Sequence, residues 1–91
     1  MNSILQEKRE CYFTHYTQNL EYHHVMNGNK ILRKKSEKYG LWVWLASDVH
    51  RYIHSADGTE KRLWLKQKAQ KAFEERYGHD LWMREFHKNY L

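Results

Sequence analysis

A small α+β domain, hairpin strands first and helices after, is the fold this sequence predicts. Aromatic, β-prone runs occupy the first half of the chain, and a long helical pattern with recognisable ends fills the second. The length of 91 residues is enough for one small domain and too little for two. Aromatic residues make up 15% of the chain and charged residues 30%, a balance that separates it from disordered sequences, which are poor in aromatics.

Residues 1–10 are charged and lack turn formers, which fits a short helix or a frayed arm ahead of a single domain spanning 11–91. The run CYFTHY, Cys11 to Tyr16, is β-prone. Thr17-Gln18-Asn19 then supplies a turn into LEYHHV, Leu20 to Val25, and the two runs read as a first hairpin. In its second strand Leu20, Tyr22 and His24 share one face, while Glu21, His23 and Val25 share the other. Both neighbouring histidines can therefore serve one site only where the strand ends or twists, and Asn27-Gly28-Asn29 provides that break.

The basic stretch Lys30 to Lys38 reads as a solvated loop or exposed helical turn, or as a loop that contacts phosphate. LWVWLA, Leu41 to Ala46, is the clearest strand, apolar on both faces and hence expected to be covered on both. Ser47 or Asp48 can cap a helix through Val49 to His54 that stops near Asp57-Gly58. Thr59 is a good cap for the longest helix, roughly 60–77, with Leu65, Ala69, Ala72 and Phe73 on one side and Gly78 at its end. Asp80 can cap a last helix, Leu81 to His87, that contributes Leu81, Trp82 and Phe86 to packing.

Sixteen Lys and Arg against eleven Asp and Glu give a formal charge of +5, which favours polyanionic partners although many small proteins are basic for no specific reason. Cys11 is the only cysteine, so no disulfide closes within one chain. A lone thiol with no secretory leader points to a reducing, cytoplasmic setting. The strongest apolar run, Leu41 to Ala46, is far too short to cross a bilayer, so no membrane span is expected.

Four of the seven histidines carry the chemistry. An i, i+4 pair on a helix places both rings on one face, so His50 and His54 have the spacing of a two-histidine metal site, or of an ordinary amphipathic face. His23 and His24 sit at a strand end before a glycine turn. They read either as one ring toward a metal and one toward a water, or as a sheet pair with one ring buried and one exposed. Two helical ligands and one strand ligand would leave coordination positions open for water and a phosphate oxygen, with the fourth histidine as general base in metal-assisted phosphodiester hydrolysis.

The order Cys11, His23-His24-Val25, Leu41-Trp42-Val43-Trp44-Leu45, His50 resembles the HNH, or ββα-metal, nuclease fold. SEKYGLWVWL (36–45), QKAFEERYGH (70–79) and KNYL (88–91) resemble a group of short HNH-like bacteriophage proteins. The resemblance implies that His24 is the general base and that His23, His50 and His54 hold one divalent ion, be it Mg, Mn, Ni or Zn. It implies DNA as partner, gripped mostly through its backbone by Arg33, Lys34, Lys35 and Arg51, and a host bacterial cytoplasm as location. It also exposes two departures. At the positions of the structural zinc knuckles stand Cys11, Thr14, Ala46 and Val49, so no structural zinc is expected. Apolar packing must replace its support, on the order of 10 kcal/mol in small modules. Nor is there an amide side chain around Gly40-Leu41 to orient the base, and Asn27 and Asn29 lie in another segment. The competing expectation is an HNH-derived phage protein without catalysis that binds DNA or a host protein, with inhibition of a host defence system as one outcome. Four Trp and seven Tyr would furnish its anchors.

Overall fold

A computed structural model describes residues 1–91. Two strands, β1 (Leu20–His24) and β2 (Trp42–Ala46), form one antiparallel ladder. Between them runs helix α1 (Lys30–Tyr39). After β2 come α2 (Ser47–His54), a 3₁₀ turn (Ala56–Gly58), α3 (Thr59–Tyr77) and α4 (His79–Phe86). The coarse expectation of a small α+β unit with strands before helices holds, but the partner of β1 is not the expected one.

Cys11–Tyr16 is a tight turn rather than a strand. The Cys11 carbonyl accepts from His15 N at 2.8 Å, the Cys11 amide donates to Tyr16 O at 2.7 Å, and His15 takes a left-handed φ of 64°. A residue in that conformation cannot continue an extended ladder. β1 pairs instead with β2, in the register Tyr22 to Trp44, His23 to Val43 and His24 to Trp42. The more apolar strand offers the larger burial: Val43 and Leu45 are fully enclosed on the inner face.

The stretch Lys30–Lys38 is likewise no loop. Asn29 caps α1 by accepting from Leu32 N at 2.8 Å, and Gly40 closes it in the left-handed region at φ 70°. Arg33, Lys34 and Lys38 are exposed, but Ser36 and Tyr39 are buried, which fixes one face of the helix. Ser36 Oγ accepts from Met26 N at 3.1 Å and donates to Met26 O at 2.7 Å, so one hydroxyl ties the chain leaving β1 to the helix.

Residues 1–10 contain no helix; residues 1–6 lie as a strap along β2, and residues 7–10 follow as a series of bends. Ser3 Oγ donates to Trp42 O at 2.6 Å, Ile4 N to Gly40 O at 2.9 Å, and Gln6 Oε1 accepts from Trp44 N at 2.9 Å. This strap is the cover expected over Trp42 and Trp44, and the Arg9 guanidinium lies 4.6 Å from the Trp44 ring.

On the inner face the core gathers Cys11, Leu41, Val43, Leu45, Ile53, Leu65, Ala69, Phe73 and Trp82. The expected face of α3 is recovered with Gln70 buried and Ala72 only half-buried. Gln70 bonds Asn89 Oδ1 at 2.7 Å and Tyr90 N at 2.7 Å, folding the C-terminal residues back onto α3. Thr59 and Asp80 lie inside the first turns of their helices, which start one or two residues earlier than expected. No helix is long and apolar enough to cross a membrane.

Candidate metal centre and its cleft

The strand alternation is as expected: His23 faces inward and is buried, while His24 is on the outer face with Tyr22. α2 follows β2 without a loop, with Ala46 as its N-cap, and so lays its first two turns across the inner face. His50 and His54 are thereby brought over His23. Their ring centroids are each 5.2 Å from that of His23 and 4.8 Å from one another. Ligand nitrogens of all three lie within 4.8 Å of one another, and they form the one group of three such donors in the molecule that could hold a metal ion.

The electrostatics suit neutral imidazole ligands. Burial, followed by the nearby His50 and His54, pushes the His23 pKa down to about 3. Burial and His50 also lower that of His54. His50 Nε2 and His54 Nε2 are 3.1 Å apart, close to the roughly 3.3 Å that separates two nitrogens on a tetrahedral ion with bonds near 2.0 Å. Three nitrogen donors, two already at that spacing and the third in a dry wall, fit a divalent transition metal.

Two carboxylates hold the outer imidazoles. Glu21 Oε1 is 2.8 Å from His50 Nδ1, which turns Nε2 toward the cluster, as the partners of metal-bound histidines commonly do. Glu37 Oε1 is 2.8 Å from His24 Nε2. Hydrogen bonds from these histidines hold both carboxyl groups below their usual range. The alternation of β1 places Glu21 and His23 on one face and could have singled out Glu21. No sequence signal pointed to Glu37, because α1 was not expected as a full helix.

No protein-family model, curated protein or solved structure matches this chain.

A cleft of about 420 Å³ opens at the end of β1, lined by His23, His24, Asn27, Arg33, His50 and His54 among others. All four singled-out histidines thus border one space although His23 and His24 point to opposite faces, because the strand ends there and Gly28 turns the chain at φ 109°. Among the expected backbone contacts, Arg33 lines this cleft and Arg51 lines the adjoining surface beside His50 and His54. Lys34 is exposed on α1. Lys35 is engaged elsewhere: its ammonium donates to Glu85 O at 2.6 Å and pairs with Glu85 Oε2 at 3.1 Å.

Cys11, Thr14 and Ala46 also lie together. The Cys11 thiol is buried and hydrogen-bonds with Thr14 and with the backbone of Ala46. One sulfur with a hydroxyl and a backbone amide beside it lacks the ligand set of a structural zinc site.

Proposed function

We propose that this cleft is the active site of an HNH-type, divalent-metal-dependent endonuclease or nickase that hydrolyses phosphodiester bonds of DNA. The observation that supports it is the meeting of three imidazoles with a fourth histidine and an arginine around one cleft. His23, His50 and His54 would hold the metal, which when bound supplies Lewis-acid stabilisation of the phosphate and its leaving oxygen.

The chain's own residues supply the rest. His24 takes a proton from a water in the cleft, and the oxygen attacks phosphorus as the bond to the leaving ester oxygen breaks. Arg33, with Lys34 and Arg51, orients the backbone by charge-assisted hydrogen bonds and carries no base information. The +5 charge draws DNA in, with binding that weakens steeply as salt rises.

The test is to incubate the protein with supercoiled plasmid and Mg²⁺, Mn²⁺, Ni²⁺ or Zn²⁺ beside a His24→Ala control. Metal-dependent nicking that the control lacks is the expected result, and absence of cleavage in every metal would overturn the reading. A second reading, a catalytically silent domain that binds DNA or a host protein, is favoured by the exposed Trp64 packed on Phe13 at 5.6 Å with Lys61 and Lys68 against the two rings. It predicts DNA or protein binding that His24→Ala leaves unchanged.

A further inference from the structure

Glu37 grips His24 in a way that determines which of its nitrogens is free. Its Oε1 lies 2.8 Å from His24 Nε2, while its Oε2 accepts from the Tyr22 hydroxyl at 3.2 Å. Tyr22 is itself stacked on Trp42, with centroids 4.1 Å apart and planes at 24°, and meets the His24 ring at 5.1 Å. The carboxylate is thus engaged on both oxygens, and the imidazole is held along one edge and against one neighbour. The backbone beneath is equally fixed. Ser36, the preceding residue, is buried and bonded twice to Met26, and the Gly40 amide donates to the carbonyls of Glu37 and Ser36.

An ionised carboxylate has no proton to give, so the proton of the Glu37–His24 bond resides on Nε2. The other nitrogen, Nδ1, has no hydrogen-bonding partner in the protein, and His24 borders the cleft that His23, His50 and His54 share. We infer that Glu37 is the positioning residue of this site: it holds His24 as the Nε2–H tautomer and leaves Nδ1 to take the proton from water. When Nδ1 gains that proton, the carboxylate stabilises the resulting imidazolium, as a paired acid does for a catalytic histidine. Tyr22 keeps the carboxylate oriented. The inference rests on the endonuclease reading of the cleft, and it supplies an orienting group where no side-chain amide is available.

Glu37 is half exposed, so its replacement leaves the fold intact and two variants separate orientation from charge. The wild type, Glu37→Ala and Glu37→Gln are compared with ¹⁵N-labelled histidine by NMR in Mg²⁺, under conditions where the ¹⁵N shifts report a neutral His24 ring. His24 should be predominantly Nε2–H in the wild type and in Glu37→Gln, whose amide oxygen still accepts, and a mixture of tautomers in Glu37→Ala. In plasmid nicking, Glu37→Ala should lower kcat about 10-fold with KM unchanged, and Glu37→Gln should recover most of that loss. A mixed tautomer in the wild type, or a Glu37→Ala protein that nicks as fast as the wild type, would overturn the inference. If the wild type nicks in no metal, the endonuclease reading fails by itself. The tautomer measurement then decides alone, and an Nε2–H population unmoved by Glu37→Ala rejects the positioning role.

Discussion

His50 Nε2 and His54 Nε2 stand 3.1 Å apart on successive turns of α2, with the buried ring of His23 beneath both. With the His50 Nδ1 proton directed at Glu21, His50 Nε2 can accept from His54 Nε2–H, and loss of that one proton leaves two lone pairs that could face one cation. Titration calorimetry of the metal-free protein with Zn²⁺ or Ni²⁺ should find one site, lost in His50→Ala and in His23→Ala.

Glu21 lies outside the ligand set but holds His50 by Nδ1 at 2.8 Å. Replacing it by alanine frees the ring to rotate and to change tautomer. Metal affinity should fall about 10-fold without loss of stoichiometry, and an affinity equal to that of the wild type would show that the contact orients nothing.

His23 makes the fold sensitive to mild acid. Its pKa is about 3 in the folded chain against an ordinary value of 6.5, so between these pH values the unfolded chain binds the extra proton and stability falls as pH falls. The loss should be about 2 kcal/mol at pH 5 relative to pH 7, read from urea unfolding with chelator present. Glu21 and Glu37 have lowered pKa values, so their contributions are present above the ordinary carboxylate range and disappear only at lower pH. His23→Gln should therefore flatten the profile between pH 7 and pH 5.

The two histidine motifs were legible because their geometry is local. Period two decides which face of β1 His23 occupies, and the i, i+4 spacing decides that His50 and His54 share a face of α2. That α2 would cross β1 and not point elsewhere depended on β2 running into it directly: Ala46 is the cap, and Ser47 and Asp48, the expected caps, already lie within the helix. The choice of strand partner was not local. CYFTHY has the composition of a strand, yet His15 at positive φ and the burial offered by Val43 and Leu45 decide the pairing. α1 was obscured by its charges: one buried serine and one buried tyrosine are too sparse an apolar stripe to distinguish a helix from a loop. With α1 unseen, Glu37 was unseen too.

Ser36 is where that hidden helix joins the sheet. Ser36→Ala removes both partners of the Met26 backbone in a buried position, and the unfolding free energy should drop by about 3 kcal/mol. Denaturant titration gives the value. A change below about 1 kcal/mol would mean that the Met26 amide and carbonyl find other partners.

If the cleft receives DNA, substitutions at Arg33 and Lys35 should separate its binding from support of the fold. Arg33→Ala should weaken DNA binding and reduce the steepness of its salt dependence by about one counterion. Lys35→Ala should leave the salt dependence unchanged and lower thermal stability, because its ammonium is held by Glu85.

The strap of residues 1–6 has a bearing on the order of folding. Its anchors, Gly40, Trp42 and Trp44, lie about 40 positions further along the chain, and a side chain on Gly40 would collide with the Asn2 carbonyl. Closing so long a loop has a substantial entropic cost that is recovered only once β2 is in place to receive it. The strap should therefore dock after the sheet has formed, as a late step whose loss speeds unfolding of the outer face more than it slows assembly of the core.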